Sequence, residues 1–256
     1  MEKSMVNPAQ KLMKGLKYFL RNPKYFMLYF LGKPEEVFTK ISGKSSAIFM
    51  NFKKTLNRDS SFLTALNEKS SSVIKQKFRL CQDHYFLYAI VRALKPRLIL
   101  ETGVFDGSFT IFFLKGLEAN YQEHGIDGKL ISIDLPSYTT IAESTSQMKR
   151  SCLPPNQKPG WLIPDNLRNR WQLRLGDSLQ LLPIVLEEID NIDIFLHDSL
   201  HTYSHMKFEY ETVWPCIKKH GILMSHDIHW NKAFREFVKK HGLKEEAFHG
   251  FGVVRK

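Results

Sequence analysis

Cysteine is scarce in this chain: Cys81, Cys152 and Cys216 are the only three in 256 residues. Odd in number and widely spaced, they suggest neither a disulfide framework nor a zinc knuckle, and a reducing compartment is the expectation. Long apolar runs are missing too. The longest strongly apolar one, Tyr25 to Leu31, falls far short of the ~20 residues that a membrane-spanning helix needs. No small-residue cleavage site follows it, so a signal peptide is not expected either. Low-complexity tracts are absent, and 43% hydrophobic with 25% charged residues is the composition of an ordinary globular protein. Acidic residues are rare at one end. Residues 1–58 carry twelve Lys or Arg against three Asp or Glu, which accounts for most of the net charge of +11. An anionic partner should therefore meet the N-terminal part first.

From Pro8 to about Asn57 that part interleaves Lys and Arg with Tyr18, Phe19, Tyr25, Phe26, Tyr29, Phe30, Phe38, Phe49 and Phe52, punctuated by Pro23 and Pro34. Two or three short helices are expected. They could lie on an anionic membrane surface, aromatic rings at the headgroup boundary, making a cytoplasmic protein peripheral to the inner membrane face. Equally, they form a helical cap whose aromatics pack on the main domain. Nucleic-acid binding ranks third, because no groove-reading module accompanies the basic residues. Ser70, Ser71 and Ser72, near Asp59-Ser60-Ser61, read as a linker or a pair of helix N-caps. The boundary is placed there: residues 1–75 form a basic, aromatic-rich helical extension and residues 76–256 the main domain.

Beyond the boundary, Tyr85–Leu94 reads as an amphipathic helix stopped by Pro96, after which strand and helix alternate. Strands are expected at Arg97–Thr102, Lys129–Asp134, Trp171–Leu175, Ile192–His197 and Ile222–His226. Helices separate them at Phe109–Ala119, Ser137–Lys149, Leu179–Ile189 and Ser204–Lys218, and another follows at Ala233–Lys240. Leu243–Phe248, a His249-Gly250 turn signal and Phe251–Arg255 close the chain as a hairpin. The result is an α/β fold with a mostly parallel sheet and a C-terminal antiparallel hairpin. Ligands in such folds sit at the carboxyl ends of the strands, so the residues just after each strand carry the argument.

The first strand runs into Glu101-Thr-Gly103-Val-Phe-Asp106-Gly107-Ser108. Glycines in that turn let backbone approach a ligand, and an acidic residue suits a cationic amino group. The dinucleotide fingerprint GxGxxG is not met. Asp134 ends the second strand, where a carboxylate can accept from both ribose hydroxyls; helix capping is the plainer role. Gly176-Asp177-Ser178 ends the third, and Asp177 could accept from an adenine amino group or cap the helix that follows. The fourth and fifth strands deliver His197-Asp198-Ser199-Leu-His201-Thr-Tyr203 and Ser225-His226-Asp227-Ile228-His229-Trp230. With His205, five histidines gather in two loops that should face each other. Imidazoles and carboxylates converging there could deprotonate a hydroxyl or hold a divalent cation.

Over about His84 to Phe251 these segments resemble the class I S-adenosylmethionine-dependent methyltransferases. The closest likeness is to a bacterial and archaeal group with a Ser-Ile-Asp-Leu-Pro strand end, here Ser132–Pro136, and a His-Asp-Ser-x-His-Thr-Tyr motif, here His197–Tyr203. The resemblance implies a Rossmann-like seven-stranded fold and S-adenosylmethionine held by Glu101, Gly103, Gly107, Ser108, Asp134, Asp177 and Ser178. It implies that Gly160–Pro164 forms a loop over the active site rather than part of the core. In related metal-dependent O-methyltransferases an Asp after the fourth strand and an Asp-Asn or Asp-Asp pair after the fifth bind magnesium. Asp198 and Asp227 match the two aspartates, but Ile228 stands where the third ligand belongs. Either His229 or His226 substitutes, favouring a softer metal, or no metal is used and a histidine is the base, with His201 the first choice and His226 the second.

A sulfonium is already activated, so catalysis reduces to in-line positioning and removal of the acceptor's proton. Together with Asp198, those histidines favour O-methylation of a hydroxyl on a small-molecule or glycan acceptor. The competing readings are a membrane-associated protein that keeps the cofactor fold without turnover, and a nucleotide- or NAD-binding enzyme. The missing GxGxxG and the terminal hairpin count against the latter.

Overall fold

Apolar residues on both sides of each strand dictate a sheet covered on both faces. Ile99 and Leu100, Ile194 and Phe195, Ile222 and Leu223, and Val253 and Val254 are neighbours in sequence that belong alternately to two separate apolar clusters. The computed structural model describes residues 31–136 and 153–256. Seven strands form one sheet: β1 Leu98–Thr102, β2 Lys129–Asp134, β3 Trp171–Leu175, β4 Ile192–His197, β5 Ile217–Ser225, β6 Glu246–Phe248 and β7 Phe251–Arg255. Their order is β3-β2-β1-β4-β5-β7-β6. The first five run parallel, and β7 pairs antiparallel with both β5 and β6. This is the expected Rossmann-like sheet with its C-terminal hairpin. His249 (φ 45°) and Gly250 (φ 83°) supply the two left-handed residues that a tight hairpin turn needs.

Helices α1 Pro34–Ser42, α2 Ser46–Arg58, α3 Ser60–Ile74, α4 Gln82–Leu94 and α5 Thr110–His124 contribute to the first cluster. Helices α6 Ser178–Glu188, α7 Tyr203–Val213 and α8 Ala233–Lys240 contribute to the second. Three expectations need correction. Ser70, Ser71 and Ser72 are neither linker nor caps but lie inside α3, where Ser70 is buried and donates to the Gln76 carbonyl (2.7 Å). Asp59 is the cap, accepting from the Phe62 amide (3.1 Å). The helix after β4 ends at Val213, not Lys218, because Pro215 follows in a short 3₁₀ turn. β5 accordingly starts at Ile217 rather than Ile222.

Phe38 and Phe49 are fully buried and Phe52 packs against the same cluster, so these aromatics of the basic extension form a cap on the core. Pro34 opens α1 at its first turn instead of breaking it. Tyr18 to Phe30 and the helix expected at Ser137–Lys149 lie outside the described residues. Among the described residues no helix is long and apolar enough to cross a membrane.

Candidate active site

Three left-handed residues, Gly103 (φ 85°), Phe105 (φ 53°) and Gly107 (φ 92°), fold the chain after β1 into a tight turn. A Cβ on Gly103 would collide with the backbone carbonyl of Asp198, so glycine is what lets the β1 and β4 loops touch. Asp134 holds this turn from the end of β2. Its Oδ2 accepts from the amides of Val104 (3.1 Å) and Phe105 (2.8 Å), and its Oδ1 from Leu135 (2.8 Å). Ser108 donates its amide to Asp106 Oδ1 (2.8 Å).

Glu101 lies beneath the turn with no exposed surface. Its Oε2 accepts from Thr110 Oγ1 (2.9 Å) and Ser132 Oγ (2.7 Å), and Trp171 Nε1 donates in turn to Ser132 Oγ (2.9 Å). Its Oε1 is buried with no hydrogen-bond partner among the described residues. Burial pushes its carboxyl up to about 8, despite the two hydroxyl donors. At the end of β3, Asp177 caps α6 through the Leu179 amide (2.9 Å), the plainer of its two expected roles.

The stretch Gly160–Pro164 is core rather than the loose cover that was expected. Trp161, Leu162 and Ile163 belong to the first apolar cluster. Gly160 and Leu162 donate their amides to the carbonyls of Phe105 (2.8 Å) and Asp106 (3.0 Å). It therefore buttresses the glycine turn from the side.

Four of the five histidines divide between two carboxylates. Glu209, on α7 and fully buried, is the hub of the inner group. Its Oε2 meets Thr102 Oγ1 (2.5 Å) and His197 Nδ1 (2.6 Å), and its Oε1 meets Ser199 Oγ (2.8 Å) and His205 Nε2 (2.9 Å). His205 Nε2 also reaches Ser178 Oγ (2.9 Å). Burial alone would raise Glu209, but His197 and His205 hold it well below the ordinary carboxylate range. His197 and His205 thus serve the interior, and Ser178 is tied to them. Glu209 escaped the sequence reading because it lies in mid-helix; its one signal is the i, i+4 spacing from His205.

Asp198 is the hub of the outer group, at the mouth of the sheet. Its Oδ1 lies 3.0 Å from His226 Nδ1 and 3.5 Å from His201 Nε2. Burial, helped by nearby His197, lowers His201 to about 4. Burial would lower His226 as well, but Asp198 overrides it and raises the ring to about 9. Ligand atoms of Asp198, His201 and His226 all lie within 4.8 Å of one another, an arrangement able to hold a metal ion. Asp227, expected beside Asp198 in that role, is not in this cluster. Its backbone is left-handed (φ 53°) and its Oδ1 is 4.0 Å from His229 Nδ1. His226 completes the set instead.

Two neighbours of this mouth were not anticipated. Phe109 sets its ring edge-on to His226 at 5.2 Å. Asp83, in the first turn of α4, is raised by burial against the opposing pull of His226 and His249. An acid in a first helical turn is ordinary capping chemistry, which hides it in a sequence.

Residues 100–228, just over half the chain, match the family described as a methyltransferase domain. The chain belongs to that family, and the class I, S-adenosylmethionine-dependent reading made from its motifs stands. No curated protein sequence matches it. Among solved structures, it is similar to an O-methyltransferase from Bacillus cereus crystallised with S-adenosylhomocysteine (TM-score 0.52, 16% identity, covering 82% of this chain and 97% of that one). It is also similar to a methyltransferase from Geobacter sulfurreducens (TM-score 0.51, 15% identity, 83% and 96%). A third similar structure is a TDP-rhamnose 3'-O-methyltransferase of calicheamicin biosynthesis (TM-score 0.50, 17% identity, 82% and 93%).

Proposed function

We propose that the protein transfers a methyl group from S-adenosylmethionine to a hydroxyl of a small molecule or glycan. The observation that carries this is the pairing of Asp198 with His201 and His226 beside the glycine turn. Neighbours of the same fold named as O-methyltransferases support the choice of oxygen, and one of them acts on a sugar.

The residues present suit a cationic cofactor. Carboxylates of Asp106, Asp134 and Asp198 line its surroundings, and the buried Oε1 of Glu101 is an acceptor for an amino group. Asp134, whose orientation is fixed by three backbone amides, is the carboxylate that would accept from a ribose hydroxyl. In this reading Asp177 and the backbone of Ser178 would flank the adenine end, and the turn carrying Gly103, Gly107 and Ser108 would form the floor. The bound cofactor supplies an electrophilic methyl on a sulfonium. His201, neutral at physiological pH, takes the acceptor's proton on an imidazole nitrogen, and Asp198 stabilises the imidazolium that results. His226 is protonated through its pairing with Asp198 and offers positive charge to the developing alkoxide.

The same three side chains support a second reading. One carboxylate and two imidazoles suit a borderline transition metal better than magnesium. Such an ion would acidify a bound hydroxyl, and Asp198, His201 and His226 would hold it.

The test is calorimetric titration of the full chain with S-adenosylhomocysteine, with and without zinc, manganese or magnesium, followed by turnover assays on His201→Asn. Binding kept in the variant while turnover falls about 100-fold or more supports the assignment. Absence of cofactor binding under every condition sinks the methyltransferase reading, and undiminished turnover in the variant removes His201 as base.

A further inference from the structure

Trp230 keeps 50% of its surface in water although it belongs to the loop that carries His226 and Asp227. Its ring lies 5.8 Å from that of His201, inclined by 38°, and 6.4 Å from that of His229. The loop is firmly built. Trp230 donates its amide to the Asp227 carbonyl (3.0 Å) and Ile228 donates to Gly250 (3.1 Å), while Ile228 itself is buried. Asn231 then bridges outward, its Nδ2 donating to the His201 carbonyl (3.1 Å) and its Oδ1 accepting from Ala233 (2.8 Å). An indole held at a fixed height beside the base, yet half solvated, is a surface awaiting a contact.

What surrounds it narrows the contact. Asp198, His201, His226, Asp227 and His229 make the neighbourhood dense in donors and acceptors. Phe109, another aromatic at the mouth, spends its ring on His226 and Phe251, at 5.2 and 5.9 Å. A planar phenol has two apolar faces and few hydroxyls, so it would leave many of these polar groups unmatched. A pyranose ring has one apolar C–H face for the indole and a rim of hydroxyls for the imidazoles and carboxylates.

Resting on the methyltransferase reading, we infer that Trp230 is the acceptor shelf and that the acceptor ring stacked on it is a pyranoside, presenting one ring hydroxyl to His201. The indole sets which substrate enters and takes no part in moving the proton.

The test uses the full chain loaded with S-adenosylhomocysteine, and Trp230→Ala and Trp230→Phe variants. Saturation-transfer NMR is recorded with the methyl glycosides of mannose, rhamnose, glucose and galactose, and with catechol. At least one glycoside should receive saturation on its ring C–H protons, bind about tenfold or more weaker to Trp230→Ala, and bind within about threefold of wild type to Trp230→Phe. Calorimetry must give the same S-adenosylhomocysteine affinity in all three proteins. Glycoside binding that ignores Trp230→Ala, or binding of catechol alone, or no ring binding by a protein that does bind the cofactor product, overturns the shelf. Loss of cofactor-product binding in the wild type would instead strike at the underlying methyltransferase reading.

Discussion

Glu101 is a carboxyl group inside the protein, and its surroundings decide when it can ionise. Held at about 8 by burial, it is mostly protonated in the free protein at neutral pH. A cationic amino group stabilises only its ionised form, so binding S-adenosylmethionine should expel a proton. The sign follows: affinity rises with pH up to about 8, while folding stability from this group is full below about 4.5 and declines from there to about 8. Titrations in two buffers of different ionisation enthalpy should reveal proton release in the wild type and none in Glu101→Gln. A flat affinity profile in the wild type would remove Glu101 from the cofactor site. Residue identity was legible here, since an acid at the end of a strand and just before a glycine turn stands out. Its protonation state was not, because that depends on burial and on Thr110 and Ser132, which reach it from two other segments.

Among the elements, α3 shows how local chemistry and docking cooperate. Asp59 caps its first turn and also pairs with Lys115 on α5, Nζ to Oδ2 at 2.5 Å. One residue therefore starts the helix and anchors it to the domain. Asp59→Ala should cost about 1–2 kcal/mol in urea unfolding, most of it from the cap. Asp59→Asn, which keeps a capping oxygen, should lose less than half of that. Equal losses in both variants would assign the effect to the ion pair instead. The elements themselves were largely readable: β2, β3, β4, α8 and β7 run as their patterns predict. Errors fell where polarity misled. Ser70, Ser71 and Ser72 look like a linker, but helical packing overrides their weak propensity once Phe62 and Leu66 are buried.

For the whole molecule, the important fact is that one apolar cluster joins α1, α2 and α3 to the sheet, with Phe38, Phe49 and Leu66 in the same body as Phe86, Phe112 and Phe251. Glu246 near the C-terminus pairs with Lys40 (2.8 Å). A chain lacking residues 1–75 would bare that face, so it should be insoluble or lack a cooperative thermal transition. If the truncated chain instead melts cooperatively and binds S-adenosylhomocysteine, the extension is an independent unit.

Sequence alone determined the alternation of strands and helices, the strand ends with their polar residues, and the turn and loop segments Glu101–Gly107 and His197–Tyr203. Those are local: they rest on periodicity, on turn residues, and on runs a few residues long. Tertiary structure decided which histidine does what. His197 and His205 turn inward to Glu209 while His201 and His226 turn outward to Asp198. It also drew Gly160–Pro164 into the core and set Trp230 beside His201. Each outcome depends on groups far apart in the chain meeting at one place, and burial and charge are properties of that meeting rather than of any residue type.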